Sequence, residues 1–113
     1  MINAVHSILY ARDANAARAF FADVIGLESV DAGGGWLIFA LPPAELAVHP
    51  ASYASHELYL MTDDIGAALD ALRAKGVTII AEPAEEDWGR LARIEVPGFG
   101  SLGIYEPSHP VPR

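Results

Sequence analysis

Apolar residues in the first half of this chain recur first with the period of a strand and then with the period of a helix. Residues 2–11 predict a first strand, and Asp13 is placed to cap the helix that follows. The helical stripe comprises Ala17, Phe20, Phe21 and Val24. Gly26 can end this helix in the left-handed conformation. Three further strand-like runs are predicted at 27–31, 36–41 and 45–49.

The second half repeats this order of elements. Residues 56–62 predict a strand, and Asp63 or Asp64 can cap the next helix. The second helical stripe comprises Ile65, Ala68, Leu69 and Leu72. Gly76 ends the helix. The remaining strands are predicted near 77–81, 90–96 and 101–105, with residues 82–89 as a charged loop.

Three landmarks recur at one spacing and indicate a duplicated βαβββ unit. They are the pairs His6 and His56, Asp13 and Asp63, and Gly26 and Gly76. One unit is too small to hold a core, so the two should pack together as one domain. We therefore predict an α+β domain over residues 1–107, with repeats at about 1–50 and 55–107. Residues 108–113 form a proline-rich tail that we expect to be loosely held.

Composition narrows the class of protein. A chain of 113 residues that is 52% hydrophobic can form one compact core. It has no apolar run of membrane-spanning length, and its first residues do not resemble a signal peptide. The absence of cysteine fits a cytoplasmic protein. A net charge of -8 with only 7 Lys and Arg argues against nucleic acid as a partner.

Four stretches carry a resemblance to a known superfamily. They are VHSILYARDANAARAFFADVIGLE, HELYLMTDDIGAALDALRAKGV, the WGR near Trp88, and SLGIYEP near the end. Together, in order and duplicated, they resemble the vicinal-oxygen-chelate superfamily of glyoxalase I, extradiol dioxygenases, fosfomycin-resistance enzymes and bleomycin-binding proteins. The resemblance covers Ile2 to Pro107. It implies a cupped, mostly antiparallel mixed sheet made of the two βαβββ modules, with one helix covering one face of each module.

The resemblance also implies where a metal would bind. In metal-using members each repeat supplies one ligand from its first strand and one from its last. His6 and His56 match the two first-strand positions. The last-strand positions fall on Ala47 and Gly103, which cannot bind a metal. Glu45 and His49 lie two residues on either side of Ala47, on the same strand face, and one of them could complete a site for zinc, nickel, iron or manganese.

The alternative to a metal site is a cleft for a small organic molecule, which needs no cofactor. The small residues at Ala47 and Gly103 would leave space in it, and aromatic walls with a few polar groups are typical of such sites. The predicted lining comprises His6, Tyr10, Trp36, His49, His56, Trp88, Arg93 and Tyr105. Core or dimer packing is the competing interpretation for the aromatic residues. For Arg93, and for Arg90 on the same predicted strand, the competing interpretation is a surface ion pair with Glu85, Glu86 or Glu95.

Three functions therefore remain open at the level of sequence. The first is a metal-independent protein of the bleomycin-resistance type that binds a small organic molecule. The second is a metal-dependent lyase, isomerase or dioxygenase in which His6 and His56 hold the ion. The third is a non-catalytic structural dimer. In each case we expect a homodimer, and no nucleic-acid or membrane partner.

Overall fold

The structure is a computed structural model that describes residues 6–112. Its elements, in chain order, are α1 (Ala14–Ala19) with a π-helical continuation (Phe20–Val24), β1 (Ser29–Asp31), β2 (Leu37–Phe39), β3 (Tyr59–Met61), α2 (Ile65–Ala74), β4 (Ile79–Glu86), β5 (Gly89–Val96) and β6 (Gly100–Pro107). Strands β3, β6, β5 and β4 form one sheet in that order, and β1 and β2 form a separate hairpin. In the sheet, β3 pairs parallel with β6, and the other pairs are antiparallel. The predicted α+β class is confirmed.

Both helices begin where the sequence predicts. The carboxylate of Asp13 accepts a hydrogen bond from the Ala16 amide at 3.0 Å, and that of Asp64 accepts one from the Ala67 amide at 3.0 Å. These bonds satisfy amides that have no partner within the first helical turn. Of the two aspartates predicted as caps in the second repeat, Asp64 caps α2.

The core lies between the helices and one face of the four-stranded sheet. Its buried residues come from the first helix (Ala17, Phe20, Phe21), from α2 (Ile65, Leu69, Leu72), from β5 (Ala92, Ile94, Val96) and from β6 (Leu102, Ile104). The core residues of β5 and β6 occur at every second position. Because side chains alternate across a sheet, the intervening residues of these strands lie on the opposite face, which we call the open face.

Two hydrogen bonds join the first helix to the second repeat. The Asp13 amide donates to the Gly98 carbonyl at 3.1 Å, in the turn between β5 and β6. At the other end of the helix, Lys75 Nζ donates to the Val24 carbonyl at 2.9 Å. The sheet of the second repeat therefore serves as the packing surface for the helices of both repeats.

The strands predicted for the first repeat are largely absent from the described residues. The part of the 2–11 strand that lies within the described chain, from residue 6 onward, is not a strand, and residues 2–5 lie outside it. The predicted 45–49 strand is also wrong, since residues 40–58 contain no helix or strand. The runs at 27–31 and 36–41 are reduced to β1 and β2, of three residues each. A strand needs a neighbour for its backbone hydrogen bonds; among residues 6–112 the segments 6–11 and 45–49 have no strand partner, and β1 and β2 have only each other.

In the second repeat the predictions need smaller corrections. The 56–62 strand is shortened to β3, whereas β6 extends beyond 101–105 to Pro107. Most of the predicted 82–89 loop belongs to β4, because Glu86 pairs with Gly89 across a tight turn. The start of the tail is also held more firmly than expected, since the Ser108 amide donates to the Trp88 carbonyl at 2.9 Å.

The longest helix within residues 6–112 has 10 residues. No helix in this part of the chain is long and apolar enough to cross a lipid bilayer.

Candidate functional site

The open face of the four-stranded sheet carries a row of three residues on three adjacent strands. Tyr59 of β3 is paired with Gly103 of β6, and Gly103 is paired with Arg93 of β5. Tyr105 lies two positions along β6 and therefore shares this face. The row places an aromatic ring, a gap in side-chain volume and a cation next to one another.

Gly103 is the residue that allows this arrangement. A Cβ atom on Gly103 would overlap the ring of Tyr59 and would lie 3.4 Å from Nη1 of Arg93. Both side chains thus lie over the glycine. The prediction that Gly103 leaves empty space is therefore wrong, because the Tyr59 ring fills it.

Tyr59, Trp88 and Tyr105 form what we call the aromatic cluster. Their ring centroids are 6.4 Å apart for Tyr59 and Trp88, 5.9 Å for Tyr59 and Tyr105, and 5.0 Å for Trp88 and Tyr105. The interplanar angles are 64°, 89° and 88°, so all three contacts are edge to face. This is a favoured geometry for aromatic pairs, and each ring restrains the other two.

A polar rim adjoins the cluster at Tyr105. The Tyr105 hydroxyl lies 3.3 Å from Oε1 of Glu45, to which it can donate, and 3.2 Å from Nε2 of His109. Nδ1 of His109 is 2.8 Å from the Pro110 carbonyl, which favours the proton on Nδ1 and leaves Nε2 as an acceptor. The segment around Glu45 and the chain after β6 thus meet at one tyrosine.

Arg93 is held on the open face by hydrogen bonds to Ser101 and by a further interaction with the Tyr59 hydroxyl. Its Nε donates to the Ser101 hydroxyl, and its Nη2 donates to the Ser101 carbonyl at 3.3 Å. The expected ion pair with a glutamate is absent for Arg93 among residues 6–112. Glu85 pairs instead with Arg90, at 3.0 Å.

The Tyr59 hydroxyl lies between groups of opposite charge. It donates a hydrogen bond to the carboxylate of Glu57. This bond, followed by burial and by repulsion from the Glu57 charge, raises the pKa of Tyr59 above its usual 10.0, while Arg93 acts weakly in the opposite direction. Tyr59 is therefore held in its neutral, hydrogen-bonding form.

The structure brings together only part of the predicted lining. Trp88, Tyr105 and Arg93 lie on or beside the open face, and Glu45 reaches its rim. The remaining predicted residues are exposed and make no contact with the cluster that the structure shows; they are His6, Tyr10, Trp36, His49 and His56. Trp36 has a different neighbour, since the guanidinium of Arg18 lies 4.9 Å from its ring centroid.

The residues do not fit the four-ligand metal site that the resemblance implies. Among residues 6–112 no group of three or more histidine, aspartate or glutamate side chains is placed to hold a metal ion. The last-strand position at Gly103 is covered by the Tyr59 ring. Ala47 lies in a segment without strand structure, so parity no longer places Glu45 or His49 beside the two histidines.

Sequence reasoning missed three residues of this site: Tyr59, Glu57 and His109. Glu57 contacts the Tyr59 hydroxyl. The predicted pocket face of the 56–62 strand was that of His56, whereas Tyr59 lies on the other face, together with Glu57. The available signal was the pairing of a large ring with a glycine across adjacent strands. Its recognition requires the β3–β6 register, which the sequence does not specify.

The chain matches the Glyoxalase/Bleomycin resistance protein/Dioxygenase superfamily over residues 3–109. It belongs to this superfamily, as the duplicated pattern and the α+β fold had indicated. No curated protein matches the chain by sequence.

Several solved structures share the fold. TnmS3, an antibiotic binding protein from Streptomyces sp. CB03234, is 24% identical, with a TM-score of 0.65 over 96% of this chain and all of that one. A lactoylglutathione lyase from Agrobacterium tumefaciens is 19% identical, with a TM-score of 0.65 over 92% of this chain and 93% of that one. A superfamily member from Sphaerobacter thermophilus DSM 20745 is 24% identical, with a TM-score of 0.63 over 92% and 97%. At these identities the likeness concerns the fold.

Proposed function

We propose that this protein binds a small aromatic molecule on the open face of its sheet, without a catalytic metal. The observation that carries the proposal is the aromatic cluster of Tyr59, Trp88 and Tyr105 beside Gly103. Tyrosine and tryptophan rings supply a large contact area together with polar atoms at their edges, which suits a planar organic ligand. The antibiotic-binding role in the name of TnmS3 is consistent with this function.

The same geometry argues against metal use at this position. In a metal-using relative the Gly103 position would carry a ligand side chain. Here a side chain at that position would collide with Tyr59. A metal-binding side chain at position 103 and the aromatic cluster therefore exclude each other. This chain has glycine at that position and the three aromatic residues of the cluster.

We also propose that the protein is a homodimer in which a second copy covers the extended segment 40–58. Leu46 and Val48 are 90% and 87% exposed, and they lie two residues apart in a segment without helix or strand. A second copy would bury these side chains and supply backbone partners. Light scattering after gel filtration tests this: a dimer mass is expected, and a monomer mass at micromolar concentration would contradict it.

Calorimetric titration with planar aromatic compounds tests the binding function directly. Binding is expected for the unsubstituted protein and should be at least tenfold weaker in Tyr59→Ala, because the ring that packs on Gly103 is lost. Trp36→Phe is the matched control, since Trp36 contacts Arg18 outside the cluster. Circular dichroism establishes that each variant is folded. Equal binding by Tyr59→Ala would contradict the location of the site.

A metal titration tests the other half of the proposal. Nickel, zinc, manganese and iron(II) should show no stoichiometric binding at tens of micromolar. Stoichiometric binding that disappears in the His6→Ala, His56→Ala double variant would overturn the metal-independent function. It would favour the metal-dependent lyase, isomerase or dioxygenase alternative instead.

A further inference from the structure

We infer that the aromatic ligand carries a carboxylate group, which Arg93 binds. The inference rests on the proposed function and adds to it the charge and the shape of the ligand. It begins from the position of one cation: Arg93 lies on the open face, half-buried, and over the same glycine as the Tyr59 ring.

The guanidinium of Arg93 has one engaged edge and one edge without an acidic partner. Nε and Nη2 point to the hydroxyl and the carbonyl of Ser101, which fixes the plane of the group. The other edge, formed by Nη1 and Nη2, adjoins Tyr59, with which Arg93 also interacts, and forms no ion pair with a carboxylate among residues 6–112. Two parallel N–H groups on a fixed plane match the two oxygens of a carboxylate. Ser101 thus orients the arginine so that this edge is available to a ligand.

Carboxylates of the protein that share this region are engaged elsewhere or do not pair with Arg93. Glu57 accepts from the Tyr59 hydroxyl, and Glu45 lies at the far side of the cluster beside Tyr105. Glu95 lies two residues along β5 and has no ion pair in the described part of the chain. The net charge of -8 is spread over the whole surface, and salt screens it beyond about 8–10 Å. Among residues 6–112 Arg93 therefore forms no direct ion pair, and Glu57 approaches it only through the shared Tyr59 hydroxyl.

The spacing of the row restricts the shape of the ligand. The guanidinium and the Tyr59 ring both approach the position of a single Cβ on Gly103. A ligand ring that packs on the aromatic cluster would therefore place Arg93 within reach of a carboxylate attached to that ring directly or through one carbon. A long flexible acid would not pack its ring on the aromatic cluster and place its carboxylate at Arg93 at the same time. The inferred ligand class is a compact aromatic carboxylic acid.

Three naphthalene probes of nearly equal shape test the inference by ligand-observed NMR titration. They are 2-naphthoate, its neutral amide 2-naphthamide, and the cation 2-naphthylmethylammonium. The protein should bind 2-naphthoate about tenfold more tightly than the amide, because charge-assisted hydrogen bonds are roughly twice as strong as neutral ones. The cation should bind most weakly. Raising the salt concentration should weaken binding of the naphthoate and leave that of the amide unchanged.

Two arginines of β5 provide the matched variants. Arg93→Gln keeps a hydrogen-bonding side chain and should abolish the preference for naphthoate while retaining amide binding. Arg90→Gln removes a cation that is paired with Glu85 and lies on the alternate side of the strand, and it should leave the preference intact. Circular dichroism and thermal unfolding establish that both variants are folded.

The possible failures of the experiment are distinguishable. Equal affinity for naphthoate and amide, or a preference that survives in Arg93→Gln, would overturn the carboxylate inference and leave aromatic binding standing. Tightest binding of the cation would also overturn it, in favour of recognition by Glu57 or Glu45. Absence of binding for all three probes would overturn the proposed function and this inference together.

Discussion

The two repeats of this chain follow the same pattern of apolar residues but have different structures. The second repeat forms a four-stranded sheet with a helix packed on it. Within the described residues, the first repeat forms a helix and a hairpin of two three-residue strands, followed by an extended segment. Among the described buried apolar residues three come from the first repeat and eight from the second.

The difference follows from where each kind of element finds its hydrogen-bond partners. A helix satisfies its backbone internally, so both predicted helices form close to their expected positions. A strand depends on another segment, often one distant in sequence. In the second repeat β5 has two full-length neighbours, whereas among residues 6–112 the equivalent strand of the first repeat, β2, pairs only with β1 over three residues. The same alternation can therefore give a buried strand in one repeat and an exposed segment in the other.

The largest expected difference between the repeats lies in the response to truncated leucines. Leu69 of α2 is 1% exposed, and Leu69→Ala should lower the free energy of unfolding by about 2–5 kcal/mol through lost burial and a cavity. Leu46 of the first repeat is the comparison, and Leu46→Ala should change stability by less than about 0.5 kcal/mol in the monomeric chain, whereas the loss should be larger in the proposed dimer, which buries Leu46. Urea unfolding measures both. A loss of more than about 1 kcal/mol for Leu46→Ala would show that segment 40–58 is packed in solution, as the proposed dimer requires.

A smaller effect is expected at the turn between β5 and β6, which contacts the start of the first helix. Gly98 has φ of 77°, and a Cβ there would overlap the backbone of Asp13. Gly98→Ala should cost about 2–3 kcal/mol, because strain in a left-handed backbone is combined with displacement of the first helix. Gly76 has φ of 81° with open space around it, so Gly76→Ala should cost about 1 kcal/mol from backbone strain alone. Equal costs in thermal unfolding would mean that the first helix does not rest on this turn.

The helix caps should give nearly equal effects in the two repeats. Asp13→Ala and Asp64→Ala each remove a 3.0 Å hydrogen bond to an amide of the first helical turn. Each should lower the free energy of unfolding by about 1 kcal/mol. An effect of Asp64→Ala without any effect of Asp13→Ala would mean that the first helix does not contribute to the free energy of unfolding. The two repeats would then differ in stability as well as in their strands.

The smallest effect concerns the ionisation of Tyr59, which has Leu9 at the equivalent position of the first repeat. Tyr59 should ionise above the usual 10.0, and Glu57→Gln should lower its pKa because the hydrogen bond to a carboxylate is lost. Since the folded-state pKa is raised, the associated stability is complete below pH 10 and is lost as pH rises through the pKa of Tyr59. Absorbance titration at alkaline pH, taken as the difference from Tyr59→Phe, measures this. An unchanged pKa in Glu57→Gln would contradict the assigned partner.

The helices, their caps, the duplicated pattern and the superfamily can all be predicted from the amino-acid sequence. Those features depend on residues close together in the chain, or on order along it. Trp88, Arg93 and Tyr105 are among the lining residues predicted from the sequence, and Tyr105 is included because it shares strand parity with Ser101 and Gly103. The expectation of a small-molecule site has the same origin and stays a proposal.

Which of those residues contact one another depends on how distant strands pair. The parallel pairing of β3 with β6 sets Tyr59 over Gly103 and beside Arg93, and it fills the space that the sequence had left for a ligand or a metal. Strand register between distant segments is not encoded locally, and a shift of one residue would exchange the two faces of a strand. For that reason the histidines that mark the repeat in the sequence lie outside the cluster, while Tyr59, which carries no local signal, lies at its centre.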